Sequence, residues 1–148
     1  MTPDHVGVPV TLRCPFCLTL NQVDLEKAEA RPRCGKCEKP MLLDRPMRVS
    51  EEDFERTVLE AGGPVIVDFY ADWCQPCKLM APLLDDLARE HVGRVLFTKV
   101  DSDQAQGLAT RMGIRGIPTL VAFRDGAEIG RTVGFDPSAV KALVGKVA

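Results

Sequence analysis

Six cysteines arranged as three C-x-x-C pairs, Cys14/Cys17, Cys34/Cys37 and Cys74/Cys77, constrain this chain more than any other feature. Two sulfurs three residues apart can ligate a metal or close a disulfide, and the spacing between pairs separates the two uses. Sixteen residues lie between Cys17 and Cys34, which suits two knuckles folding over one ion in a four-thiolate site. The third pair has no companion pair in the sequence, so a redox role outweighs a second metal half-site. The first 45 residues hold few large apolar side chains, among them Val10, Leu12, Phe16, Leu18, Leu20 and Val23. Such a segment does not stabilise a fold unaided, but structural zinc contributes roughly 10–16 kcal/mol in small peptides.

Cys14, Cys17, Cys34 and Cys37 are therefore expected to bind one structural Zn2+, in a closed site with no position left for catalysis. Iron in a rubredoxin-like site, or oxidation to two disulfides, are alternatives that ligand type leaves open. Alternating Val10, Leu12 and then Leu18, Leu20 read as short ribbons on either side of a knuckle. Asp44-Arg45-Pro46 reads as a linker.

From Ser50 the pattern becomes alternating helices and strands. Ser50 followed by Glu51, Glu52 and Asp53 predicts an N-cap and a helix over about 51–60. Val65–Tyr70 reads as a strand buried on both faces, and Met80, Leu83, Leu84 and Leu87 as a helix interrupted by Pro82. A strand at 95–100, a helix near 104–112, strands at 119–123 and 128–133 around a turn, and a helix at 137–147 complete the order βαβ, α, ββ, α.

Cys74 falls where the buried strand gives way to the helix, and a helix N-terminus stabilises a thiolate. Cys74 can then attack a disulfide and Cys77 resolve the mixed disulfide. Asp68 interrupts the apolar strand. Burial raises the pKa of an unpaired carboxyl, which suits a proton acceptor for Cys77, although an ordinary hydrogen-bonded core aspartate fits the same pattern. Trp73, the single tryptophan, reads as docking surface or as a packing residue.

Composition is that of a globular domain, with 45% hydrophobic residues and a formal charge of −2. No run approaches membrane-spanning length and the start has no basic leader with an apolar stretch, so the expectation is a cytoplasmic protein without a membrane partner. Cytosolic thiols are kept reduced, which favours ligands or catalysts over structural crosslinks. The first 48 residues carry eight Lys/Arg against six Asp/Glu. A zinc tetrathiolate adds about −2, leaving the segment near neutral and arguing against nucleic acid as a partner. Nothing requires more than a monomer, and His5 and His91 are expected to face solvent without a role.

Residues 49–148 resemble the thioredoxin family through Val67-Asp68-Phe69-Tyr70-Ala71-Asp72-Trp73-Cys74-Gln75-Pro76-Cys77-Lys78, then Ala81-Pro82, Lys99-Val100-Asp101, Gly116-Ile117-Pro118-Thr119 and Val133-Gly134. With the four-cysteine segment in front, the whole chain resembles the bacterial thioredoxin-2 type. The resemblance implies an α/β thioredoxin fold, a central mixed five-stranded sheet flanked by helices, over 46–148, preceded by a small zinc-ribbon-like domain over 1–45. It implies a thiol-disulfide oxidoreductase with Cys74 as nucleophile and Cys77 as resolving thiol. Electrons would arrive from NADPH through thioredoxin reductase and leave to protein disulfides, with no bound organic cofactor. It places Lys99 beside Asp68. It also implies a cis Ile117–Pro118 bond, which sequence alone gives only about a 5–6% chance, with the Ile117 backbone, Trp73 and Gly134 receiving substrate. Gln75 and Tyr70 depart from the glycine and tryptophan usual in the family, which bears on reduction potential and reductase fit. The competing readings are a disulfide oxidase or isomerase, disfavoured by the missing export signal, and a zinc-dependent redox-sensing interaction module.

Overall fold

A two-stranded ribbon and a five-stranded mixed sheet organise the computed structural model, which describes residues 7–148. The ribbon pairs β1 (Pro9–Arg13) antiparallel to β2 (Leu20–Asp24), with Val10 opposite Val23. Val10 and Leu12 alternate with half-buried neighbours, so one face of β1 is buried. Leu18 does not join the ribbon as expected: its N–H donates to the Cys14 carbonyl at 2.9 Å in a tight knuckle, its φ is 65°, and its side chain is exposed. Two short 3₁₀ turns follow within Leu25–Ala30, joined by a kink at Lys27, the first capped by Asp24.

The larger sheet has the order β3-β5-β4-β6-β7, built from β3 (Met47–Arg48), β4 (Val65–Tyr70), β5 (Leu96–Asp101), β6 (Thr119–Arg124) and β7 (Ala127–Val133). β3, β5 and β4 run parallel; β6 and β7 are antiparallel. The expected five strands are present, and the short edge strand β3 lies just past the linker, where no apolar run marked it. β4 holds the centre because Val65, Ile66, Val67 and Phe69 are all fully buried. Asp125 and Gly126, both at positive φ, make the tight turn between β6 and β7.

Helices α1 (Gln75–Glu90) and α3 (Pro137–Val147) cover one face of the sheet, joining Met80, Leu84, Val140 and Val144 to Ile66 and Leu120. α1 continues as one helix through Pro82. On the other face α2 (Gln106–Arg111) begins after an Asx turn in which the Asp103 N–H donates to Asp101 at 3.0 Å.

The helix expected over about 51–60 is present in shorter, wider form: a turn at 51–53 leads into a π-helical stretch, Glu55–Leu59. The Ser50 cap does form, accepting from the Asp53 N–H at 3.3 Å. Asp53, Phe54, Thr57, Val58 and Ala61 are buried while Glu52, Glu55, Arg56 and Glu60 are exposed, so the segment turns one face to the shared core. Phe54 packs edge-on against Phe123 with ring centroids 5.9 Å apart.

The N-terminal segment shares one apolar core with the larger sheet. Val10, Leu12, Met41 and Leu43 belong to the same buried cluster as Phe54, Val58, Val67 and Phe69. Three polar links reinforce the seam: Arg13 holds Asp53 through two bonds of 2.7 and 2.8 Å, Thr57 Oγ1 donates to the Thr11 carbonyl at 2.7 Å, and the Gly62 N–H donates to the Pro9 carbonyl at 2.9 Å.

His5 lies outside the described residues. His91 is not solvent-facing as expected: it caps α1, is half-buried, and its Nδ1 is enclosed without a hydrogen-bond partner among the described residues.

Candidate functional site

Cys74 is the N-cap of α1, in extended conformation, so its Sγ lies at the end of the helix where unpaired N–H groups gather. The Cys77 N–H donates to Cys74 Sγ at 3.2 Å. Pro76 fits the first turn because no intrahelical N–H is required of it. The two cysteines form a disulfide with a Cα–Cα separation of 5.3 Å. Cys74 and Cys77 are both largely buried and pack with Ala71, Tyr70 and Ile117.

The Ile117–Pro118 bond is cis, and the Ile117 carbonyl lies 3.8 Å from Cys74 Sγ. Gly134, at a φ of 85°, donates its N–H to the Pro118 carbonyl at 2.8 Å. Val133 and Phe135 beside it are exposed. Trp73 stands 69% exposed, so it is no core residue; its Nε1 donates to Asp103 Oδ2 at 2.8 Å. Asp103 carried no signal in the sequence beyond its place in a turn.

Asp68 is buried, and its Oδ1 has no hydrogen-bond partner among the described residues. Burial pushes its pKa up to about 7 against the opposing charge of Lys99. Lys99 is its neighbour across the parallel β4–β5 pair, and the Lys99 Nζ lies 5.7 Å from the Tyr70 ring centroid. Arg48 stands next to Lys99 across β3–β5, so Arg48, Lys99 and Asp68 form one row across the sheet. Strand alternation could have revealed that row had β3 been recognised.

At the other end of the ribbon, the sulfurs of Cys14, Cys17, Cys34 and Cys37 all lie within 4.8 Å of one another. The cross-pairs Cys14–Cys37 and Cys17–Cys34 are each 3.6 Å apart. A tetrahedral ion with sulfur ligands at about 2.3 Å separates its ligands by roughly 3.8 Å, so the cluster fits a tetrathiolate site. Backbone N–H groups of Phe16 and Lys36 approach Cys14 and Cys34 at 3.4 Å in matching positions. The Cys37 N–H, the Asn21 amide and the Lys36 N–H hold the Cys34 thiol down to about 6. These donors favour the thiolate that metal binding requires.

A disulfide at a helix N-terminus, an enclosed acid on the adjacent strand and a carbonyl across a cis-proline loop define a thiol-disulfide oxidoreductase with a thioredoxin fold. Comparison with known proteins agrees. A family model described as thioredoxin matches residues 45–146. A thioredoxin of Pseudomonas aeruginosa is 44% identical over 88 residues, covering 60% of this chain and 82% of its own length. Thioredoxin C-3 of Corynebacterium nephridii is 34% identical over 121 residues, covering 82% of this chain and 83% of its own. Among solved structures, spinach chloroplast thioredoxin f matches with a TM-score of 0.66 and 29% identity over 71% of this chain and 88% of that one. A Malassezia sympodialis thioredoxin matches at 0.64 and 34%, over 69% and 90%. The chain belongs to the thioredoxin family and is a protein-disulfide reductase of that kind. No helix among the described residues is long and apolar enough to cross a membrane.

Proposed function

We propose that this chain is a thioredoxin-2 type reductase acting broadly on disulfides of cytosolic proteins, with a zinc module over residues 1–45 and a redox domain over 46–148. The observation that carries the reading is the Cys74 sulfur at the N-cap of α1, accepting the Cys77 N–H at 3.2 Å. In the reduced protein that donor and the helix end favour the Cys74 thiolate.

The Cys74 thiolate attacks one sulfur of a substrate disulfide, forming a mixed disulfide and expelling the first substrate thiolate. Asp68 takes the proton from Cys77. The Cys77 thiolate then attacks Cys74, closing the Cys74–Cys77 disulfide and expelling the second substrate thiolate. The substrate gains two electrons and the enzyme dithiol loses two. Thioredoxin reductase, the usual electron donor of the family, restores the dithiol. Trp73, Ile117, Pro118 and Gly134 receive the substrate; an extended peptide pairs with the Ile117 backbone, which makes recognition broad. Lys99 lies beside Asp68 in the strand register, and its charge opposes the effect of burial on that carboxyl. Cys14, Cys17, Cys34 and Cys37 would hold Zn2+, which would supply structural free energy to the module.

The test is substitution of each cysteine together with the reduction potential. Cys74→Ser should lower disulfide reduction roughly a thousandfold or more while leaving bound metal unchanged. Cys77→Ser should accumulate the mixed disulfide with substrate. A potential near about −270 mV supports a reductase, and one near roughly −180 mV defeats it in favour of an isomerase or oxidase. Retained activity in Cys74→Ser would move the function to the four-cysteine module.

A further inference from the structure

A cleft of about 600 Å³ is lined by residues of both the four-cysteine module and the redox domain. Its module wall includes Arg13, Phe16 and Leu18; its domain wall includes Arg48, Tyr70 and Lys99. Tyr70 also packs against the Cys74/Cys77 cluster, so one residue touches both the redox pair and the cleft.

Lys99 stands beside Asp68 in the strand register, yet no ion pair joins them among the described residues, and the Asp68 Oδ1 has no partner there. The lysine ammonium lies instead 5.7 Å from the Tyr70 ring centroid, within the range in which an aromatic face attracts a cation. An ammonium in contact with a carboxylate would lower its proton affinity tenfold or more. The direction in which Lys99 leans therefore decides whether Asp68 can accept a proton near neutrality.

We propose that Tyr70 is a positioning residue: its ring holds the Lys99 ammonium toward the cleft and away from Asp68, preserving the proton affinity that the resolving step uses. This rests on Asp68 acting as the proton acceptor for Cys77. Lys99 from β5 is the charged group that acts on Asp68, and its β6 neighbour Leu120 carries no charge; around Tyr70 stand Arg48 from β3, Asp101 from β5, Asp72 in the loop beyond and Asp68 itself, with Cys77 from α1 in the cluster Tyr70 packs against. Among the described residues only Lys99 both borders Asp68 in register and lies over the Tyr70 ring.

The experiment is a carboxyl-carbon NMR titration of Asp68 in the reduced, metal-loaded protein and in Tyr70→Leu, Tyr70→Phe, Lys99→Met and the Tyr70→Leu/Lys99→Met double variant. Tyr70→Leu keeps an apolar side chain against the disulfide cluster but removes the aromatic face. It should make Asp68 roughly tenfold more acidic and move the pH midpoint of mixed-disulfide resolution downward with it. Tyr70→Phe keeps the ring and should stay within about twofold of the parent protein. With Lys99→Met in place, Tyr70→Leu should have no further effect.

Three results would overturn the proposal: an unchanged Asp68 titration in Tyr70→Leu, an equal shift in Tyr70→Phe, or a Tyr70→Leu effect that persists without Lys99. Asp68→Asn separates the underlying reading. If mixed-disulfide resolution keeps its pH profile in Asp68→Asn, Asp68 is not the acceptor, whatever Tyr70 does to its titration.

Discussion

The knuckles at Cys14/Cys17 and Cys34/Cys37 and the turn at Cys74/Cys77 share one spacing and differ in what the backbone does next. After each knuckle the following residue, Leu18 or Glu38, enters the left-handed region at a φ of 65°, and its N–H returns to the carbonyl of the first cysteine at 2.9 or 3.0 Å. The chain doubles back, and two such turns face their sulfurs to one another. After Cys74 the backbone enters a 16-residue helix, so the pair is joined to one long element and faces a cis-proline loop. Spacing thus fixes which sulfurs can meet within a pair. The exit of the chain decides whether they meet another pair or a substrate.

The two regions also carry opposite electrostatics. Backbone N–H groups point at the knuckle sulfurs of Cys14 and Cys34 at 3.4 Å, whereas the redox pair has behind it an acid whose charged form is disfavoured by burial. The first favours thiolate held in place; the second favours a proton that can move.

Removal of the metal is the strongest way to break this comparison. Chelation under reducing conditions should release an ion whose binding is worth roughly 10–16 kcal/mol in small zinc peptides, and amide protection in β1 and β2 should be lost. Cys74 and Cys77 should still oxidise to their disulfide. If hydrogen exchange shows β1 and β2 still protected after metal removal, the core shared with Phe54 and Val58 holds the module instead of the ion.

The next effect belongs to Asp68. Its folded pKa of about 7 lies above the ordinary carboxylate value, so between roughly pH 4 and pH 7 the native state holds a proton that the unfolded chain has released. Its contribution to stability is therefore fully present below about pH 4 and is lost as pH rises to about 7. Asp68→Asn, which stays neutral, should gain on the parent protein by up to about 4 kcal/mol at pH 8 and little at pH 4. Urea unfolding at both values checks this. A constant difference across the range would mean that Asp68 is paired and ionised throughout.

Much of this architecture was legible in the sequence because its signals are local. The cysteine spacings, the uninterrupted apolar run of β4 and the acidic residue within it are each readable from a few neighbours. The edge strand β3 was not, because two residues beside a proline carry no period. Nor was the wide turn at Glu55–Leu59, where Thr57 bonds to Thr11 on a ribbon more than 40 positions away. The position of Lys99 over Tyr70 required the register of β4 on β5, and strand register is a property of the assembled sheet.

Whether the two regions unfold as one is decided at the seam between them. Thr57 is fully buried, and its hydroxyl crosses the seam to the Thr11 carbonyl. Thr57→Val keeps the shape but removes the donor, at a cost of about 1–2 kcal/mol once the carbonyl is left short of a partner. If module and domain form a single cooperative unit, denaturant should release metal and expose Trp73 fluorescence changes at a common midpoint, and both should move together in the variant. If the seam joins two independent units, metal release should shift while the Trp73 transition stays in place, and the continuous core would then be a contact between folded bodies.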